Sequence, residues 1–181
     1  MTKICDRHTG QLLFEIPGDS LEGLDFRQHD LRYADLSGKN LTRCIFDDMN
    51  LEEIELSDSI LEEASFQRVR LIEAILTGVK GRKIKFNGSR LCMTTLAKAV
   101  IPEADFSDSV FEGIVNFTDA ALPRAKFRNI KELGGVILWN TDLSECDFEG
   151  TDLTQVKVSD IVGVKLRGTK YEYLAEVKQD E

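Results

Sequence analysis

Three short stretches carry residue types that could do chemistry. Cys5-Asp-Arg-His8 sets a thiol and an imidazole at the spacing of one arm of a zinc site. No second cysteine–histidine pair follows to complete a tetrahedron, so the stretch reads as the polar turn of a hairpin and no metal is expected. Lys80-Gly-Arg-Lys-Ile-Lys85 has the look of a nucleic-acid or nuclear-import patch. Asp47 to Glu63 holds eight acids and no base: Asp47, Asp48, Glu52, Glu53, Glu55, Asp58, Glu62 and Glu63. Neighbouring carboxylates such as Asp47 and Asp48 could serve acid–base catalysis only in a cleft that shifts their pKa values. The cysteines, Cys5, Cys44, Cys92 and Cys146, are scattered, with no nucleophilic triad and no phosphate-binding glycine loop anywhere in the chain. The expectation is a protein without catalytic residues and without a cofactor.

The elements that would have to position these residues are set by a period of five. Leu21, Phe26, Leu31, Leu36, Leu41, Phe46, Leu51, Leu56, Leu61, Phe66, Leu71 and Leu76 follow one another at five-residue steps. Two residues earlier the position is often small, as at Ala34, Cys44, Ser59, Ala64 and Ala74. Helices repeat every 3.6 residues and strands every 2, so neither accounts for the beat. A short fixed period marks a solenoid whose repeats bury their apolar faces only against one another. A longer period is also present. Phe26, Phe46, Phe66, Phe86 and Phe106 recur every twenty residues, followed by Phe127 and Phe148 at twenty-one. Twenty residues per turn means four pentads per coil, with one side carrying a stacked phenylalanine column. Leu31, Leu51, Leu71, Leu91, Phe111, Leu133 and Leu153 form a second column. The steps of twenty-one imply one extra residue near Val115-Asn116 and another near Ile130-Lys131, absorbed as corner bulges. Gly81 stands where a central leucine belongs and predicts a small defect in its column.

The best pentads, Ala34-Asp-Leu-Ser-Gly38, Ala104-Asp-Phe-Ser-Asp108, Cys146-Asp-Phe-Glu-Gly150 and Thr151-Asp-Leu-Thr-Gln155, resemble the pentapeptide-repeat family. The resemblance spans roughly residues 19–160. It implies an all-β fold, a right-handed quadrilateral β-helix of about seven coils, roughly 34 Å long at the ~4.8 Å spacing between strands. The central Leu or Phe and the small residue two before it would point inward. Residues 1–18, with Ile4 facing Leu12, Phe14 and Ile16 across a glycine-containing turn, predict a hairpin that caps the open end. His29 is expected to pack beneath it. Residues 161–181 are expected to form a partial coil from Ile161, Val162, Val164 and Leu166, then a short helix over about 170–178. Thr169-Lys-Tyr-Glu172 would be its capping box. Tyr171, Leu174, Ala175 and Val177 would be its apolar stripe, with Tyr171, Leu174 and Val177 as cap or dimer contacts.

The coil register also orders the charges. One column reads Arg43, Glu63, Lys83, Glu103, Arg124, Glu145 and another Lys85, Asp105, Lys126, Asp147, both alternating in sign. Arg27 beside Asp47, Glu62 beside Arg82 and Arg128 beside Glu149 fit the same rule. The charge blocks therefore read as stacking complementarity, and the Lys80–Lys85 segment as surface wound around a corner. Cys44 and Cys146 fall at inward positions and should be inert, leaving Cys92 as the exposed thiol.

The chain of 181 residues carries a net charge of −9, from 32 acidic against 23 basic residues, which argues against direct binding to nucleic-acid phosphates. No apolar run approaches the roughly 20 residues of a membrane span, and no signal peptide is recognisable; with scattered cysteines, a cytoplasmic protein is expected. Asn40-Leu-Thr, Asn87-Gly-Ser and Asn116-Phe-Thr match the glycosylation pattern by chance on this reading. The function that follows is a non-catalytic interaction rod with an unidentified protein partner, as a monomer or a C-terminal homodimer. The resemblance implies an alternative. Some bacterial members mimic B-form DNA and bind DNA gyrase or topoisomerase IV, conferring quinolone resistance. Length, negative charge and the phenylalanine column suit that alternative, alternating signs oppose it, and Asp47 to Glu63 is its best candidate surface.

Overall fold

The computed structural model describes residues 1–160 and 163–176. Ile161, Val162, Val177 and Lys178 lie outside the described residues. The chain winds as a right-handed quadrilateral β-helix with its apolar column along the axis. Every pentad centre turns a corner. At most corners the amide three residues on donates to the centre's carbonyl, as Leu24 does to Leu21 at 3.2 Å and Ala64 to Leu61 at 3.0 Å; after Phe66 the Val69 amide donates instead to the Ser89 hydroxyl at 3.1 Å. The third residue of such a turn has positive φ, held by glycine at Gly23 and Gly38 but by side-chain-bearing Arg43, Glu63, Arg68 and Glu103 elsewhere. This is the type II pattern, which favours glycine; the coil above and below overrides the preference of about 1–2 kcal/mol per residue.

Coils are joined by parallel bridges. Ile45, Ser65, Lys85 and Asp105 succeed one another at twenty-residue steps, and Asp105, Lys126 and Asp147 at twenty-one. The longest ladders join β4 (Arg70–Ile72), β5 (Arg90–Cys92) and β6 (Val110–Glu112), and then β7 (Val115–Asn116) with β8 (Val136–Ile137). They follow the N-terminal β1 (Thr2–Asp6), β2 (Leu12–Ile16) and β3 (Ala34–Asp35). The phenylalanine column is real: Phe26, Phe46, Phe66, Phe86 and Phe106 are wholly buried and stack face to face.

The small inward positions have a second use. Where they carry a hydroxyl or thiol, it donates to a main-chain carbonyl of the coil below. Ser89 reaches Phe66 at 2.6 Å, Ser109 reaches Phe86 at 2.8 Å and Cys44 reaches Leu21 at 2.9 Å. Buried polar atoms are thereby satisfied at no cost in width. Ser59 is the exception among these, with no partner for its hydroxyl.

β1 and β2 form the capping hairpin, and β1 also pairs antiparallel with β3. Ile4 and Ile16 are buried, and the Phe14 ring stacks on His29 at 4.3 Å. Leu12 departs from the expected alternation: the register slips between Ile4 and Cys5, and beyond that bulge Leu12 is exposed.

The two extra residues enter beside the expected positions, and two other expectations need correction. The first extra residue is Ile114, which is pushed out to 60% exposure while Val115 takes the buried small position. The second lies within 131–132, both exposed, between buried Ile130 and Leu133. Gly81 leaves no simple void, because a Cβ there would lie 2.6 Å from the Leu61 carbonyl carbon; main chain has closed on the space. The helix over about 170–178 is not borne out. Among the described residues of that stretch one α-helical turn, Tyr173–Glu176, is present. Thr169 does not cap Glu172 through its side chain; its hydroxyl accepts from the Tyr171 amide at 3.1 Å. Thr169-Lys-Tyr-Glu-Tyr173 is instead one more pentad. Its centre Tyr171 is buried under Phe148, edge to face at 5.7 Å, and its hydroxyl donates to the Thr151 carbonyl at 2.6 Å. The beat resumes at Val164 and Leu166, and the step from Asp142 to its partner Lys165 is twenty-three residues.

Candidate interaction surface

The acidic stretch is a belt around one coil, because its pentad centres Phe46, Leu51, Leu56 and Leu61 are the four sides of one turn. Asp47 and Asp48 follow the first corner, Glu52 and Glu53 the second, Asp58 the third, and Glu62 and Glu63 the fourth; Glu55 lies between corners. Five of these eight carboxylates are engaged within the rod. Asp48 takes a two-pronged contact from the Arg68 guanidinium one coil above, at 2.7 and 2.9 Å, which lowers its pKa. Asp47 accepts from the Gln67 amide at 3.0 Å and Glu62 from the Arg82 amide at 2.8 Å. Glu53 meets His8 at 2.8 Å, and Glu55 lies 4.0 Å from Arg7. Arg7 also donates to the Glu53 carbonyl at 3.0 Å, so this edge of the belt anchors the capping hairpin. Glu52, Asp58 and Glu63 have no basic partner among the described residues.

The charge columns are only partly realised. Arg124 lies between Glu103 at 3.5 Å and Glu145 at 4.0 Å, Lys126 pairs with Asp105 at 3.5 Å, and Arg128 reaches Glu149 at 3.6 Å. The lower links fail: among the described residues no ion pair within 4 Å joins Arg43 to Glu63, Glu63 to Lys83, or Lys83 to Glu103. Arg43 turns down to Glu22 at 2.5 Å and Arg82 reaches diagonally up to Glu103 at 2.5 Å. Arg27 pairs within its own pentad, holding the Asp25 carboxyl down to about 2 through side-chain and main-chain hydrogen bonds. Register brings columns side by side, but a long arginine takes an acid of its own pentad or of either adjacent coil.

Cys5 sits in β1, half-buried, while Asp6 accepts from the His8 and Thr9 amides to close the turn. Among the described residues no three His, Cys, Asp or Glu side chains gather as metal ligands do. Burial raises the thiol pKa of Cys44 to about 11 and of Cys146 to about 12; Cys92 is half-buried. Lys80, Arg82, Lys83 and Lys85 are split across a corner by buried Ile84. At the far end Tyr171 is a cap contact with its ring inside the rod, and Leu174 is half-buried against the core.

A family model described as pentapeptide repeats matches in eight copies, over residues 20–48, 40–78 and 132–160. None of the curated proteins matches the chain. Among solved structures, a trypsin-treated variant of QnrB1, a plasmid-mediated fluoroquinolone resistance protein, is 18% identical with a TM-score of 0.51, covering 86% of this chain and 84% of that one. HetL, a pentapeptide repeat protein involved in heterocyst differentiation regulation from the cyanobacterium Nostoc, is also 18% identical. Its TM-score is 0.28, over 81% of this chain and 86% of that one.

Proposed function

From the premise that the chain is a pentapeptide-repeat protein, we propose that it is a non-catalytic interaction module, a stiff rod that presents fixed side-chain columns to a protein partner. The observation that carries this is the way the core is used. Inward positions are filled by packing, and the outward acids of the belt are tied to the coil above, tied to the capping hairpin, or left without a basic partner on a regular backbone. A preorganised surface of this kind loses little conformational freedom on binding. The contact set is the belt, above all Glu52, Asp58 and Glu63, which have no basic partner in the rod. Capture on the immobilised chain tests it. A specific protein should be retained and then lost when Glu52, Asp58 and Glu63 are changed to lysine; retention of nothing, or equal retention by the variant, would reject the reading.

A second reading, a DNA mimic acting on gyrase or topoisomerase IV, is favoured by the likeness to QnrB1. It is weakened by the belt, whose acids point in four directions and of which three of eight meet a basic side chain, whereas a mimic needs continuous bands along the rod. Gyrase supercoiling with and without a quinolone decides between them. Inhibition, or protection from the drug, supports the mimic; normal supercoiling and normal drug sensitivity leave the rod with another partner.

A further inference from the structure

The strand stack on the side of Leu71 and Leu91 stops in mid-rod. β4, β5 and β6 pair in parallel, yet no strand follows β6. Pairing to the next coil runs up to the Asp108 amide, which donates to the Arg128 carbonyl at 2.9 Å. It resumes where the Val115 amide meets the Gly135 carbonyl at 3.0 Å. Between these points the upper coil carries its extra residue at 131–132 and, among the described residues, makes no main-chain hydrogen bond to the lower one. It closes on the lower coil again at Gly135, where a Cβ would collide with the Gly113 carbonyl oxygen. The Phe111 and Gly113 amides occupy the places that Leu91 and Met93 hold one coil below, where Met93 donates to the Glu112 carbonyl at 3.1 Å. Among the described residues neither the Phe111 nor the Gly113 amide has an acceptor. The Ser109 carbonyl also has no donor, although its counterpart Ser89 accepts from Val110 at 2.9 Å.

A groove opens along this edge, lined by Val110, Phe111 and Glu112 below and Asn129, Lys131 and Glu132 above. It is flanked by aliphatic side chains in water, Val110 at 48% and Ile114 at 60% exposure. An unpaired strand edge beside exposed aliphatic groups is a template for one more strand. Of the ionised groups lining the groove, Asp108, Glu112 and Glu132 are acidic and Lys131 is basic; Arg90 already holds Glu112 at 2.5 Å, which leaves Asp108 and Glu132 to face a ligand.

We propose that the β6 edge is a strand-addition site that takes an extended aliphatic peptide with flanking basic residues as a fourth parallel strand. Peptide carbonyls would accept from Phe111 and Gly113, a peptide amide would donate to Ser109, and the acids would select the flanking cations. The inference rests on the partner-binding reading and names the partner's chemistry, an extended basic–aliphatic segment.

Amide hydrogen exchange on the full chain tests it, with the peptide acetyl-Lys-Val-Thr-Val-Lys-amide as probe. In the free protein the Phe111 and Gly113 amides should exchange at least about tenfold faster than those of Leu91 and Met93. Equal protection would mean that the edge is closed and the proposal wrong. Millimolar peptide should slow both amides by at least about tenfold; no slowing overturns the proposal. Deleting Lys131 shortens the step from Phe111 to Leu133 from twenty-two residues to twenty-one, the step at which Phe106 and Phe127 still pair, and should close the edge, abolishing the peptide effect in a chain that still melts cooperatively. Should that variant not fold, the Glu132→Lys change is read instead, and it should weaken the cationic peptide without altering exchange in the free protein. Peptide protection that survives in either variant counts against the site. Loss of the edge while the immobilised rod still retains its partner removes this inference alone; retention of nothing removes the wider reading.

Discussion

From Phe26 to Phe106 successive rings stack at 5.0, 4.4, 5.2 and 4.9 Å, with interplanar angles between 5° and 22°. Beyond Phe106 the spacing is 5.1 and then 5.5 Å, and the column ends edge to face on Tyr171. The rings of the first half are wholly buried, whereas Phe127 and Phe148 are 4% and 5% exposed. Both halves use the same pentad. What differs is the step: twenty residues return every side chain to its column, while twenty-one leave one residue over at a corner. In the second half that surplus pushes out Ile114 and leaves the β6 edge unpaired, and two further rings, Phe111 and Phe117, lie edge to face beside Phe106. A solenoid tolerates such insertions because each coil contacts only its neighbours, so the fault stays local.

The contrast can be broken or sharpened by measurement. The largest effect is expected at the centre of the regular half: Phe66→Ala should destabilise by about 3–5 kcal/mol in urea unfolding. Phe148→Ala should fall at the low end of that range, because its ring already borders a small apolar void beside Leu133 and Leu153. Equal losses would show that the insertions do not loosen the core. At the terminal coil, Tyr171→Phe keeps the ring and removes its hydrogen bond to Thr151, for a loss of about 1 kcal/mol in thermal or urea unfolding. No change there would mean that the last pentad does not close the column. The smallest effect belongs to the surface. A double-mutant cycle on Arg68 and Asp48 should give about 0.2–1 kcal/mol of coupling. The same cycle on Glu63 and Lys83, adjacent in register but not an ion pair, should give none. Coupling at the second pair as strong as at the first would mean that register alone sets the pairing.

The register of the regular half was legible because side chains on a closed coil repeat in sequence as they do in space. The ends were not. The step of twenty-three from Phe148 to Tyr171 hides the last pentad from any count by five or twenty, and Thr169-Lys-Tyr-Glu172 satisfies a capping pattern as well as it satisfies a pentad. The belt was legible as a run of acids, and the twenty-residue turn places that run around one coil, but which of its carboxylates are tied to a neighbour was not readable. Nor was the β6 edge readable from the extra residues, since a bulge can be absorbed at a corner or can push neighbouring strands apart.

The sequence by itself determined the columns: which residues face inward, how many make a turn, and where surplus residues enter, because burial follows from period. Only the tertiary structure decided which arginine holds which acid, which corner yields to an insertion, and which amides are left without partners. Those outcomes depend on the directions of side chains and main-chain groups between coils, and the order of residues along one strand of a coil carries no record of them.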